Sequence, residues 1–194
     1  MRENNRNYIY MGKIYLVRHG QSEDNAAGVL GGRRDSGLTA LGAAQARRTA
    51  EELKSFGIGV IFASPLKRAY DTARIIADKL GIEEIISDER LMERDFGVLS
   101  GHPYADIPRY AGLVIEADEV RYFDQVEGAE GFPSLLRRAG EMVEVLRAAA
   151  RDRNVLVATH ADTGKMLLAA FQGRSWEEGI RATGFGNGKV VELE

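Results

Sequence analysis

Three short apolar runs, each halted by a turn or a helix-start signal and each followed by a helical stretch, limit what this chain can fold into. Residues 14–17 (Ile-Tyr-Leu-Val), 58–63 (Ile-Gly-Val-Ile-Phe-Ala) and 154–159 (Asn-Val-Leu-Val-Ala-Thr) have the length and the β-branched content of buried strands. Between them Thr39 caps a helix predicted to bury Leu41, Ala46, Ala50 and Leu53 and to stop by Gly57. Ser64-Pro65 reads as an N-cap followed by a first-turn proline, opening a helix with Leu66, Ala69, Ala73, Ile76 and Leu80 on one face and Gly81 after it. Residues 132–150 give a helix striped with Leu135, Leu136, Ala139, Met142, Val143 and Leu146, and residues 161–173 give another. The run 154–159 reads as a central strand covered on both faces, residues 82–87 as a short charged edge strand, and 190–193 as a last strand. This alternation is that of an α/β chain around a mostly parallel sheet.

In an open parallel sheet, ligands sit beyond the carboxyl ends of the strands. The first run stops at Arg18-His19-Gly20 and the third at His160, so two of the three histidines fall where a site is expected. The third, His102, lies in a Gly-His-Pro loop and reads as structural. Arg68 lies in the first turn of the helix after the second run, where a cation opposes the helix dipole unless an anion sits between them. A forked cation beside an imidazole suits phosphoryl chemistry. Gly28, Gly31, Gly32 and Gly37 make a mobile loop beside this place, and its Arg33 and Arg34 read first as plain surface.

With 194 residues the chain can bury a core as one domain, residues 11–194, behind a flexible extension over 1–10. The absence of cysteine excludes thiolate metal sites and cysteine nucleophiles. No clustered histidine and carboxylate set has metal-site spacing, so no metal is expected. A net charge of -3 leaves no broad basic surface for nucleic acid. No membrane span and no secretion signal are present, so the cytoplasm is the expected compartment. Oligomeric state is not readable.

Arg18-His19-Gly20-Gln21-Ser22 with Asn25 resembles the opening motif of the histidine phosphatase superfamily, the phosphoglycerate-mutase-like enzymes. Residues 64–73, Ser-Pro-Leu-Lys-Arg-Ala-Tyr-Asp-Thr-Ala, resemble its second motif, and Leu91-Met92-Glu93-Arg94-Asp95-Phe96-Gly97 its Leu-x-Glu-x-x-x-Gly segment. The strand ending at His160 resembles its last motif, with Ala161 where the family has glycine, a departure that bears on the fine geometry near the phosphoryl group. The resemblance runs from about residue 13 to the C-terminus and implies a three-layer α/β sandwich with a mostly parallel central sheet.

By that resemblance His19 is the nucleophile, Glu93 the proton donor, and Arg18, Arg68 and a protonated His160 clamp the phosphoryl group. Ser22, Asn25, Arg94 and Ala161 are then substrate contacts. Residues 98–131, with Pro103, Pro108 and the acidic Glu116, Asp118 and Glu119, are expected to form short helices and a loop over the site, a lid insertion. The family holds phosphatases and cofactor-dependent mutases, which hold substrate with a lysine and an arginine pair on that insertion. Here Tyr104 falls at the lysine position and Val120-Arg121-Tyr122 offers one arginine, although Glu93-Arg94 resembles the mutase pair. Fewer cations favour release of the intermediate. The expectation is therefore a metal-independent phosphatase acting on a small phosphorylated metabolite without a cofactor. The alternatives are a phosphoglycerate mutase needing 2,3-bisphosphoglycerate, and an inactive phosphate-binding module.

Overall fold

The computed structural model describes residues 12–117, 120–182 and 185–193; the expected extension over 1–10, and Asp118 and Glu119, lie outside them. In chain order the elements are β1 (Ile14–Arg18), α1 (Glu23–Ala27), α2 (Ala40–Leu53), β2 (Ile58–Ala63), α3 (Lys67–Leu80), β3 (Ile85–Ser87), α4 (Ile107–Tyr110), β4 (Leu113–Ala117) and β5 (Val120–Asp124). They continue with α5 (Phe132–Ala149), β6 (Asn154–Thr159), α6 (Ala161–Gln172), α7 (Trp176–Gly179) and β7 (Val190–Glu192). Short 3₁₀ turns at Glu89–Leu91, Gly97–Leu99 and Tyr104–Asp106 punctuate the stretch before α4.

Five strands form one sheet in the order β3-β2-β6-β1-β7, parallel except for β7. Because side chains alternate across a strand, each face collects every second residue. Ile14, Leu16, Val60, Phe62, Val155 and Val157 meet α5 and α6 through Leu135, Met142 and Leu167. Tyr15, Val17, Ile61, Ala63, Leu156 and Ala158 meet α2 and α3 through Ala50, Leu53, Ala73 and Ile76. The result is the expected three-layer α/β sandwich. Each large side chain so covered stabilises the fold by about 1.5–3 kcal/mol.

Three local expectations are corrected. Leu41 is 53% exposed, and the buried stripe of α2 runs instead through Gly42, Ala46, Thr49, Ala50 and Leu53. Five residues separate Leu41 from Ala46, which puts them about 140° apart on the helix. Gly42 takes the inward place because the chain at Gln21 lies against it: a Cβ there would sit 2.1 Å from the Gln21 carbonyl oxygen.

Ser64 does not cap α3. The helix begins at Lys67, with Leu66 at its N-cap and no side-chain cap. Ser64 Oγ accepts the Leu66 amide at 3.3 Å and is turned toward His160, so a tertiary contact overrides the local helix-start rule.

Residues 98–131 hold short helices, and also the antiparallel hairpin β4–β5, in which Ile115 faces Tyr122 and Glu116 faces Arg121. Leu113 and Val114 are both half-exposed, so consecutive apolar residues break the two-residue alternation that would have announced a strand. Beneath the hairpin Leu30, Phe96, Leu99, Ile107, Phe123 and Val126 form a small separate core.

Candidate active site

The carboxyl end of β1 fixes His19. Its amide donates to the Thr159 carbonyl at 3.0 Å, tying it to the end of neighbouring β6. The next turn is held by close packing: a Cβ on Gly20 would lie 2.3 Å from the Gly42 carbonyl oxygen, and the Gly20 amide donates to Thr72 Oγ1 at 3.1 Å. His19 Nδ1 is 2.7 Å from the Gly20 carbonyl, an acceptor, so Nδ1 carries the hydrogen and Nε2 keeps its lone pair. Burial, then the Arg68 and Arg18 guanidiniums, push this imidazole well below its ordinary value of 6.5.

Arg68, the buried first-turn arginine of α3, donates from Nε to His19 Nε2 at 3.2 Å. Its other two nitrogens donate to the Arg34 carbonyl at 2.6 Å and the Gly32 carbonyl at 2.7 Å, so the glycine-rich loop fixes the cation. Burial lowers the pKa of this guanidinium, against the nearby charges of Glu93 and Asp24. Arg33 and Arg34, read as plain surface, are pinned. Arg34 pairs with the buried Asp24 at 3.3 Å, while Arg33 donates to the Glu93 carbonyl at 3.3 Å and pairs with Glu130 at 3.4 Å.

His160 is the fully buried N-cap of α6, and its ring centroid stands 5.1 Å from that of His19 with the planes at 61°. Nε2 lies 2.8 Å from Ser64 Oγ. Burial first, then Arg68, His19 and Arg18, hold it well below 6.5, so the expected protonated imidazole is not favoured before an anion arrives. Among the described residues, His160 Nδ1 and Arg18 Nε are buried without a hydrogen-bond partner. A tetrahedral anion bound between these residues would supply acceptors to such groups.

Glu93, in the turn after Glu89–Leu91, is buried rather than solvated. One carboxyl oxygen receives the amides of Ala161 at 3.1 Å and Asp162 at 3.4 Å; the other receives the amides of Arg94 at 3.0 Å and Thr163 at 3.2 Å. It therefore rests on the head of α6. Burial, followed by the charge of Asp162, raises its pKa above the ordinary 4.5, against the Arg94 and Thr163 amides and Arg68.

Ser22 and Asn25 form a capping box on α1, each side chain accepting the other's amide at 3.2 Å, which leaves the Ser22 hydroxyl hydrogen to donate elsewhere. Arg94 has no exposed surface and is engaged with Asp162 at 2.9 Å. All the sequence-derived site residues except His160 line one cavity of about 690 Å³, and His160 stands behind it against His19. Tyr104, Arg121 and Lys165 line the same cavity.

Sequence reasoning missed several members. Asn187, between Gly186 and Gly188, donates to the His19 carbonyl at 2.9 Å and to Asn25 Oδ1 at 3.2 Å. Thr163, Asp162 and Lys165 sit on the first turns of α6, and only their closeness to His160 in sequence marked them. Among the described residues no three histidine or carboxylate side chains gather as a metal-ligand set, and no helix is long and apolar enough to cross a membrane.

Such an arrangement offers an imidazole lone pair, a fixed guanidinium at that same nitrogen, a second imidazole, and a carboxyl disposed to hold a proton. Known proteins resemble this chain in sequence and shape. The profile of the histidine phosphatase superfamily (branch 1) matches residues 14–194. Phosphoserine phosphatase 1 of Hydrogenobacter thermophilus is 32% identical over 168 residues, 84% of this chain and 77% of that one. A 2,3-bisphosphoglycerate-dependent phosphoglycerate mutase of Methylobacterium sp. is 35% identical over 171 residues, 84% of this chain and 82% of that one. Among solved structures, a mycobacterial glucosyl-3-phosphoglycerate phosphatase in complex with VO3 has a TM-score of 0.79 at 25% identity, over 94% of this chain and 91% of that one.

Proposed function

The chain belongs to the histidine phosphatase superfamily, branch 1, a family of phosphoryl-transfer enzymes, and from that membership we propose that it is a cytoplasmic, metal-independent phosphatase of small phosphomonoesters. The observation that carries the reading is Arg68 donating to the lone-pair nitrogen of His19, with His160 5.1 Å away ring to ring and Glu93 lining the same cavity. Phosphoryl transfer needs positioned positive charge around three equatorial oxygens more than covalent versatility, and Arg18 and Arg68 supply it.

His19 Nε2 attacks phosphorus in line. The bond to the ester oxygen breaks, and Glu93 gives its proton to that oxygen, releasing the alcohol. The Glu93 carboxylate then takes a proton from water as the water oxygen attacks the phosphohistidine. The phosphorus–nitrogen bond breaks, inorganic phosphate leaves, and both residues return to their starting states. Ser22, Asn25 and the wall at Ala161 contact the bound phosphate, and residues 98–131 with the β4–β5 hairpin act as the lid.

The leaving group is proposed to carry a carboxylate. Phosphoserine, phosphoglycerate and glucosyl-3-phosphoglycerate in the relatives' names all do. On this chain Arg121 and Lys165 are cations that line the same cavity as His19 and Arg68.

The mutase reading is favoured by the Glu93-Arg94 pair and by the 35% identity to the Methylobacterium enzyme. Against it, Arg121 is the single arginine at that place of β5, where retaining a bisphosphate calls for more positive charge. Two assays decide. In a chelating buffer, rapid quench with labelled substrate should trap an acid-labile, base-stable phosphoenzyme that His19→Ala lacks; full activity of that variant would defeat the mechanism. With 3-phosphoglycerate and catalytic 2,3-bisphosphoglycerate, free phosphate without isomer supports the phosphatase, and rapid isomerisation the mutase.

A further inference from the structure

Among the described residues Arg94 is the largest side chain with no solvent exposure. Its guanidinium carbon lies 4.3 Å from the ring centroid of Phe132, 4.4 Å from Phe123 and 5.0 Å from Phe96. Nε meets Asp162 Oδ2 at 2.9 Å, and another nitrogen meets the Glu130 carbonyl at 3.3 Å. A buried ion pair of this kind adds little net stability over apolar residues of the same volume, because both charges lose their hydration. The reaction proposed above gives the pair no direct part either.

Asp162 lies in the first turn of α6, and an acidic side chain there ordinarily turns onto the free amides of the helix head. Here the amides of residues 161, 162 and 163 all reach the Glu93 carboxyl. Two carboxyl groups thus compete for one set of donors. Arg94 resolves the competition, since its stacked and immobile guanidinium pulls Asp162 sideways.

We propose that the Arg94–Asp162 ion pair is a positioning device for Glu93, holding the Asp162 carboxylate off the head of α6 so that those amides serve Glu93 instead. The inference rests on the proposed role of Glu93. It has an electrostatic corollary, because Asp162 remains a fixed negative charge beside Glu93 and Arg94 a fixed positive one. The other groups around Glu93 are Arg68 from α3, Arg138 of α5 and Arg33 at its carbonyl, Tyr104 from residues 98–131, and His19, which lines the same cavity with His160 behind it. Changing Asp162 or Arg94 should therefore move the Glu93 proton in opposite senses.

The experiment is the pH dependence of kcat/KM with two substrates. Phenyl phosphate needs its leaving oxygen protonated, whereas p-nitrophenyl phosphate expels a stable anion. With phenyl phosphate, the alkaline limb of Asp162→Asn should move down by about one pH unit, and that of Arg94→Met up by a similar amount. The p-nitrophenyl phosphate profiles should not move. If Arg94→Met fails to fold, the isosteric Asp162→Asn decides alone. Limbs that stay put, or that shift in the same direction in both variants, would overturn the proposal. Trapping the phosphoenzyme on wild-type His19 separates the two ideas: no phosphoenzyme refutes the function, while a phosphoenzyme with unmoved limbs refutes only the positioning role.

Discussion

Arg68 Nε and His19 Nε2 stand 3.2 Å apart, so the nitrogen proposed to attack phosphorus already shares its lone pair with the cation proposed to receive the phosphoryl oxygens. The guanidinium reaches this place only by donating to the Gly32 and Arg34 carbonyls as well. A lysine has neither the fork nor the reach for three such contacts. Arg68→Lys should lower kcat/KM by roughly 10²–10³-fold, as loss of an oxyanion donor does, and should raise the protease sensitivity of residues 28–37. Steady-state kinetics and limited proteolysis measure the two effects.

The two perturbed groups of the proposed chemistry set the shape of the pH profile. His19 is held well below 6.5, so its lone pair stays available in acid where an ordinary histidine is protonated. Glu93 is raised above 4.5, so its proton is kept beyond the usual carboxylate range. For phenyl phosphate kcat/KM should be bell-shaped, with the acid limb from His19 below 6.5 and the alkaline limb from Glu93 above 4.5. Glu93→Gln should abolish the alkaline limb and leave the acid one.

The buried imidazoles also tie stability to pH. Both folded-state values lie below the unfolded value near 6.5, so below that pH the unfolded chain binds more protons and stability falls with acid. Two such groups set a limit of about 2.7 kcal/mol per pH unit. Glu93, raised in the folded state, contributes with the opposite sign, gaining as pH falls through its folded value. Urea denaturation at pH 7, 6 and 5.5 without phosphate should show a net loss, with a shallower slope in His160→Gln.

Gly20 and Gly42 touch backbone to backbone, leaving no room for a methyl group on either. Gly42→Ala should destabilise the fold by about 1–3 kcal/mol. It should also depress kcat at temperatures where the protein remains folded, because the displaced segment carries His19. Chemical denaturation and kcat at 15 °C separate the two losses.

Arg121 tests the substrate class. If the leaving group bears a carboxylate, Arg121→Ala should raise KM for phosphoserine or 3-phosphoglycerate about tenfold, the worth of one partly exposed charged hydrogen bond. KM for p-nitrophenyl phosphate should not change.

How much of this was legible in the chain depended on whether the cause was local. His19 and His160 could be placed because a strand, unlike a loop, announces where it ends, and Arg68 because a cation at a helix start needs a reason. Glu93 had no local sign of burial; only its position in an ordered set of motifs marked it. Ser64 was misread because its hydroxyl serves a histidine 96 residues away instead of its own helix. Asp162 with Arg94 and Asn187 with His19 pair across 68 and 168 residues, and no window of sequence contains both partners. Leu41 and the β4–β5 hairpin failed for another reason: apolar residues left in solvent blur the periodicity on which strand and helix readings rest.

The strand order has a consequence for the making of the protein. β1 finds its neighbours only in β6 and β7, and β2 can pair with nothing but β3 until β6 arrives between them. A nascent chain on the ribosome therefore carries the sticky edges of its first strand unmet through most of its synthesis, and its two imidazoles come together only after residue 160 has emerged. Long-range parallel pairing of this kind is slow and exposes intermediates to aggregation. Chains released early by truncation should be recovered as insoluble or chaperone-bound material, with no partial enzyme among them.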